Sequence, residues 1–380
     1  MPAKVVHIST VHSPHDPRIY HKQCRTLARA GYDVTLVIPG REEDFQPQDG
    51  VKVLFLPPPG SRRERLTRTR SLAYREARAL AADIYHFHDP ELIPLGRRLK
   101  KKDNVVIYDV HEDYETAMRQ KEYLPRFLAP AAGLAYRWLI ALLTRPLELC
   151  LAEKYYREKL PRGKCILNYP LLSGREAKHP PGGDKLLYTG NVTGERGAYL
   201  HARLPALDKG VSVNYIGKCS SSVADKIEEI AAPYRDRVVI TGVEEYVPWE
   251  QIEDAYFNQR WLAGLALFPP SEHYEKKELT KFFEYMYAQI PILCSDFPAW
   301  KEFVEKYDCG LAVDPQDSEQ VAAALKLLGD EPRQAARMGE NGRRAVTAEL
   351  NWQSQGRELV AWYAALLGAR GKNKTGLEGF

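Results

Sequence analysis

Residues 271–297 read SEHYEKKELTKFFEYMYAQIPILCSDF. A charged loop runs into a helix expected from about Thr280, and that helix passes through Ile290-Pro291 into a short apolar strand, Ile292-Leu293-Cys294. Loop, helix, tight turn and buried strand make up the repeating unit of an α/β sheet. The first helical turn leaves backbone N–H groups unpaired and carries the positive end of the helix dipole, which makes it a seat for phosphate. Lys281 stands at that seat. Glu284, three residues on, shares its helix face, while Phe282, Phe283 and Met286 can point inward. A cation for a diphosphate and a carboxylate for a sugar's paired hydroxyls thus project side by side.

Working outward, the same alternation fills the second half of the chain. Strands are expected over 185–189, 211–216, 238–241 and 262–268, with helices between them. The turn after the first of these is GNVTGERG, Gly190 to Gly197, where two flexible corners flank a cation, Arg196. Such a turn lets backbone approach a phosphate, and Arg196 and Lys281 both fall on carboxyl-end loops of one sheet. The first half opens as a βαβ unit: a strand over 4–9, a helix over 17–29 started by Asp16-Pro17, and a strand over 34–38. Neither GxGxxG nor a P-loop follows that first strand, so dinucleotide binding there is not expected. Further strands are expected over 51–56, 83–88 and 104–110, and an Arg-rich helical stretch over 62–82. Residues 127–151 are expected to be helical, either as core or as an interfacial anchor.

Polar clusters close two of these strands, His86-Phe87-His88-Asp89 and Asp109-Val110-His111-Glu112-Asp113. In an open parallel sheet ligands bind at the carboxyl ends of the strands, which singles out His111. His86 and His88 are expected on opposite faces of their strand, and on that ground no metal site is expected.

The chain has 380 residues, 44% of them hydrophobic, which suits two globular domains. The first domain is expected over 1–168 with 352–380 returning to it, a Pro- and Gly-rich linker over 169–184, and the second domain over 185–351. Six scattered cysteines without CxxC spacing suggest reduced thiols. The beginning carries no signal pattern and no apolar run is long enough to span a bilayer, so a cytoplasmic protein is expected, peripheral at most at the inner face of a membrane. Net charge is +4 overall, yet residues 1–168 hold 29 Lys plus Arg against 20 Asp plus Glu, or +9. That bias suits an anionic membrane surface or a phosphorylated acceptor; nucleic acid is not expected. The Gly- and Lys-rich tail from Gly368 is expected to be disordered.

FEYMYAQIPILCSD resembles the signature of family 4 of the retaining, nucleotide-sugar-dependent glycosyltransferases of GT-B fold. The resemblance implies an α/β protein of two Rossmann-like domains facing each other across a cleft, with transfer in that cleft and no metal or cofactor. It implies that Glu284 binds the donor ribose, and that Gly190, Asn191, Arg196 and Lys281 hold the rest of the donor. DVHEDY resembles the family's Asp-x-His-Glu turn, which makes His111 a catalytic candidate beside Arg196 and Lys281. HSPHDPRI resembles the family's acceptor-side loop and offers His15, Asp16 and Arg18. Two departures stand out: Lys276 occupies the place of a second Glu, and Asn191 that of an Arg. The expected substrate is a nucleoside diphosphate sugar, UDP ahead of GDP, and the expected acceptor a glycan or lipid-linked molecule in cell-surface polysaccharide or glycoconjugate synthesis. The alternatives are a sugar-nucleotide epimerase or hydrolase of the same fold, and a catalytically silent sugar-nucleotide-binding protein.

Overall fold

The computed structural model describes residues 1–111, 138–271, 273–369 and 371; the expected disordered tail lies almost wholly outside them. The chain divides into two compact units, Met1–Asn168 with Trp352–Phe380, and Tyr169–Asn351. Each is built on one parallel sheet.

The first unit carries strands β1 (Lys4–Ile8), β2 (Asp33–Pro39), β3 (Lys52–Leu56), β4 (Ile84–Phe87), β5 (Val105–Val110), β6 (Glu148–Leu151) and β7 (Lys164–Cys165). Among the described residues they form one sheet in the order β3-β2-β1-β4-β5-β6-β7. Both faces are covered, which is why VVIYDV and its neighbours read as nearly unbroken apolar runs. Val5, Leu36, Ile84, Val105 and Ile107 pack on one side against Trp352, Leu359 and Tyr363 of the helix Trp352–Gly368. Val6, Ile8, Val37, Phe87, Val106 and Tyr108 pack on the other against Ala73 and Ala77 of the helix Arg70–Ala79.

Three local readings change. The expected helix over 17–29 begins as a π-helix, Pro17–Cys24, capped by Asp16, whose Oδ1 accepts from the Ile19 N–H at 2.8 Å. Of the region expected to be helical over 127–151, residues 127–137 lie outside the described ones, and residues 138–144 are helical. Glu148–Leu151 is the strand β6, paired in parallel with β5. An apolar run of that length fits a buried strand as well as a helix, and periodicity alone does not separate them. The third change concerns His86 and His88. Residues two apart on a strand share a face. Their rings stack at 4.8 Å, and His7, in register with His86, joins them.

Asp109, at the end of β5, is wholly buried and organises this face. Arg18 donates to it through Nε at 2.8 Å and Nη2 at 2.7 Å, and the same Nη2 reaches the Ile166 carbonyl at 3.0 Å. Gln23 donates to Asp109 at 3.2 Å and His88 Nδ1 at 2.9 Å. A carboxylate only accepts, so His88 carries its proton on Nδ1, and its Nε2 accepts from His7 Nδ1 at 3.0 Å. Burial holds His7 well below its ordinary pKa and pushes His88 down to about 3, which keeps both imidazoles neutral. Burial alone would raise Asp109; the Arg18 charge and the bonds from His88 and Arg18 outweigh it and hold the carboxyl well below its usual range.

The second unit carries β8 (Lys185–Thr189), β9 (Ser212–Cys219), β10 (Val238–Val243), β11 (Ala263–Ala266), β12 (Ile292–Ser295) and β13 (Gly310–Val313), in the order β10-β9-β8-β11-β12-β13. The order reverses between β8 and β11, which leaves the carboxyl ends of these strands as its ligand crevice. β8 ends at the Gly190 turn and β11 leads into the loop before the helix Thr280–Tyr287.

The Arg18–Asp109 pair yields a stability test. Removing one partner strands a buried charge, so Arg18→Met should cost about 3–5 kcal/mol in chemical unfolding. Arg18→Met with Asp109→Leu should cost less than Arg18→Met alone. A double variant at least as unstable as the single would show that packing, rather than the unpaired charge, sets the loss.

Candidate active site

The helix Thr280–Tyr287 presents Lys281 and Glu284 at the carboxyl ends of β8 and β11. Lys281 is 9% exposed, and its Nζ has no hydrogen-bond acceptor among the described residues. It lies 3.5 Å from the centroid of the Tyr188 ring and 5.4 Å from that of Phe268. Aromatic faces attract a desolvated cation, but they do not replace the hydrogen bonds an ammonium loses on burial. Burial first, then the Arg196 charge, therefore hold the Lys281 pKa well below its ordinary value, against the pull of Glu284.

Arg196 comes from the Gly-rich turn, and its Nε donates to the Tyr274 hydroxyl at 3.1 Å. Gly197, which ends that turn with φ of +81°, admits no side chain: a Cβ there would lie 1.8 Å from the Leu267 carbonyl oxygen. Gly217 is as tightly held, since its Cβ would lie 2.1 Å from the carbonyl oxygen of Gly190. These close approaches keep the backbone at the ends of β8 and β9 bare of side chains at Gly197 and Gly217. Asn191 joins through its backbone, its carbonyl accepting from the Tyr188 hydroxyl at 2.9 Å. Glu284 Oε2 accepts from the Tyr256 hydroxyl at 2.8 Å. Two cations, a helix N-terminus and a held carboxylate thus share one crevice. Tyr188 and Tyr256 had no signal in the sequence beyond that of ordinary core aromatics.

The first unit has its own cavity, about 190 Å³, lined among others by His12, Asp16, Arg18, His111, Glu153 and Asn168. His111 Nδ1 lies 3.2 Å from the Asp109 carbonyl oxygen, to which it donates, and its Nε2 lies 3.1 Å from Nε2 of His12. His12 in turn places Nδ1 3.1 Å from Asp16 Oδ2. Burial pushes Asp16 up, but the hydrogen bonds from His12 and the Ile19 N–H hold it at about 2. Burial lowers His111, with the Asp109 charge opposing. The three acceptor-side candidates do different work. Asp16 caps the π-helix and orients His12, Arg18 is committed to Asp109, and His15 turns to the Asp44 carbonyl at 3.3 Å and to the Phe45 ring. His12 is the residue that sequence reading missed; its signal was its place just past the carboxyl end of β1.

Since His86 and His88 share a face, the ground for expecting no metal falls. Donor atoms of His86, Asp109 and Cys150, and of His88, Asp109 and His111, do lie within 4.8 Å of one another. Both groups depend on Asp109, and both of its oxygens already accept from the Arg18 guanidinium.

The family model for Glycosyltransferase Family 4 matches residues 17–150, and that for Glycosyl transferases group 1 matches residues 268–345. Together they take in more than half of the chain, including the helix with Lys281 and Glu284. The chain belongs to the GT-B glycosyltransferases. The MMP alpha-(1->4)-mannosyltransferase of Mycolicibacterium hassiacum is 37% identical over 81 residues, 21% of this chain and 20% of that protein. The alpha-D-kanosaminyltransferase of Streptomyces kanamyceticus is 24% identical over 184 residues, 47% of this chain and 45% of that protein. The matched stretch therefore spans less than half the length of either curated relative. The structure of Anabaena HepE in complex with UDP and glucose superposes with a TM-score of 0.69 at 11% identity, over 96% of this GT-B chain and 100% of that one.

The buried Lys281 makes ligand binding pH-linked. An anion beside a lysine raises its pKa, so a diphosphate should draw a proton onto Lys281 as it binds. Calorimetry of UDP binding across a range of pH, in buffers of different ionisation heat, should show proton uptake that Lys281→Met abolishes. Uptake left unchanged in Lys281→Met would place the titrating group elsewhere.

Proposed function

We propose that this chain transfers a sugar from a nucleoside diphosphate donor, UDP ahead of GDP, to a glycan or lipid-linked acceptor in cell-surface polysaccharide or glycoconjugate synthesis, with retention at the anomeric carbon. The observation that carries the reading is the unpartnered Lys281 ammonium site beside Arg196 at a helix N-terminus, one helical turn from Glu284. Departure of a diphosphate builds negative charge on the leaving group, and cations fixed before the reaction stabilise that charge without reorganising. On this reading Arg196, Lys281 and the backbone N–H groups of the turns serve the leaving group, Glu284 takes the ribose hydroxyls, and no metal is needed. HepE, of the same fold, was solved with UDP and glucose, which supports a nucleotide-sugar donor.

His111 is assigned to the sugar side of the reaction. Its Nδ1–H is held by the Asp109 carbonyl, which leaves Nε2 to face the cavity beside His12. An acceptor at an anionic membrane suits the first unit. Trp138, Leu139 and Leu142 are exposed on its residue 138–144 helix, and Arg97 donates to the Leu143 carbonyl at that helix's end at 2.8 Å. No helix among the described residues is long and apolar enough to cross a membrane, so contact there would be interfacial.

The direct test is release of nucleoside diphosphate from a panel of UDP- and GDP-sugars, with and without lipid-linked and glycan acceptors. Turnover should require an acceptor; turnover on donor alone would favour a hydrolase or epimerase, and binding without turnover on any acceptor a silent binding protein. Glu284→Ala should weaken nucleotide binding by about 1.5–3 kcal/mol, the worth of hydrogen bonds to a charged group. Arg196→Ala should weaken binding of the nucleoside diphosphate more than that of the nucleoside, and equal losses would place Arg196 outside the phosphate site.

A further inference from the structure

We infer that Tyr256, backed by Thr189, is the positioning residue that fixes the Glu284 carboxylate, and that through it this chain selects ribonucleotides over their deoxy counterparts. The inference rests on the assignment of Glu284 to the ribose. Tyr256 belongs to the helix Trp249–Asn258, is 2% exposed, and stands between two polar groups from different elements. Its hydroxyl lies 2.8 Å from Glu284 Oε2 and 2.6 Å from Thr189 Oγ1.

The direction of this chain follows from proton counting. A carboxylate can only accept, and a phenol has one hydrogen to give. Tyr256 therefore donates to Glu284, and the Thr189 hydroxyl donates to the Tyr256 oxygen. Burial and the neighbouring Glu284 charge both keep the phenol protonated, so the donor is not lost at any working pH. Each bond polarises the next toward the carboxylate.

Thr189 is the last residue of β8, held in register with Ile216 of β9, and Gly190 follows it directly. The chain thus ties the glycine turn proposed for the diphosphate to the carboxylate proposed for the ribose through Thr189 and Tyr256. A free glutamate side chain turns about three torsions, and fixing it costs conformational entropy. Here that ordering is completed when the protein folds. Pinning Oε2 sets the plane of the carboxylate, and a carboxylate of fixed plane discriminates between a vicinal diol and an alcohol that lacks one hydroxyl, because the missing hydroxyl leaves an acceptor unmet. A mobile carboxylate could re-aim to either ligand and would discriminate poorly.

The experiment compares dissociation constants for UDP and its 2′-deoxy and 3′-deoxy forms, by calorimetry on the full chain, for wild type, Tyr256→Phe, Thr189→Val and Glu284→Gln. Wild type should favour the ribonucleotide by about tenfold or more, as expected for a hydrogen bond to a charged group. Tyr256→Phe should cut that ratio at least about threefold while affinity for inorganic pyrophosphate stays at the wild-type value, and Thr189→Val should move the ratio the same way by less. If Tyr256→Phe does not fold, Thr189→Val alone decides the matter through the same ratio. A ratio that stays at the wild-type value in Tyr256→Phe, or in Thr189→Val where that variant decides, but collapses in Glu284→Gln overturns the role of Tyr256 and leaves the ribose assignment standing. A ratio that survives in Glu284→Gln removes the ribose assignment itself.

Discussion

The buried ion pair between Arg18 and Asp109 is the constraint on which the first unit depends. Asp109 ends β5, Arg18 lies at the start of the π-helix, and the Ile166 carbonyl that shares the guanidinium follows β7. One guanidinium therefore ties the helix to two strands that are far apart in sequence. A buried ion pair is weak evidence of net stability, since desolvation offsets most of the attraction. Its consequence here is geometric. With Arg18 neutralising Asp109, His88 and His7 can remain neutral donors in the stack beneath, and the Asp109 carbonyl is positioned to orient His111. Polar residues that would be intolerable singly in a sheet face are accommodated because each has a partner.

The second unit meets the same rule and leaves it unanswered. Lys281 is as deeply buried as Arg18, yet among the described residues no carboxylate hydrogen-bonds to its Nζ, and Arg196 adds positive charge nearby. The protein resolves this by lowering the Lys281 pKa and by setting the amine on aromatic faces, which tolerate it neutral or charged. An internal partner would make the crevice stable and inert. Its omission leaves the amine open to an anion, and that difference between the two units is the ground on which the proposed donor site rests.

Much of this was legible in the chain. Alternating apolar runs and Gly-marked turns lay out both parallel sheets, because a strand buried on both faces has little freedom in composition. The helix carrying Lys281 and Glu284, and the Gly190 to Gly197 turn, show in sequence because their constraints are backbone constraints that only certain residues satisfy. What the sequence hid depends on pairing at long range. Nothing near Arg18 says that its partner is Asp109, ninety-one residues away, so a core clamp looks like a ligand contact. His111 shows in sequence, but His12 does not stand beside it until β1 and β5 lie two places apart in one sheet. The opposite-face expectation for His86 and His88 failed for a simpler reason, since a period of two puts such residues together. β6 was hidden by length, because a four-residue strand following a helix gives no periodicity to read.

Of the two departures from the family pattern, Asn191 is the one whose contacts show how its place is filled. At position 191 the usual Arg is replaced by Asn, yet Asn191 is held through its carbonyl by the hydroxyl of Tyr188, the ring beneath Lys281. The turn is thus fixed by its backbone, and its side chain is not needed for that geometry. The charge removed at 191 is not replaced, since Arg196, five residues on, stands where the family pattern carries a cation as well. Arg196 reaches Tyr274, which belongs to the loop leading to the Lys281 helix, so turn and loop are tied together through a guanidinium. The turn thus keeps one cation where the family pattern carries two, and its shape is held by backbone contacts and by that guanidinium.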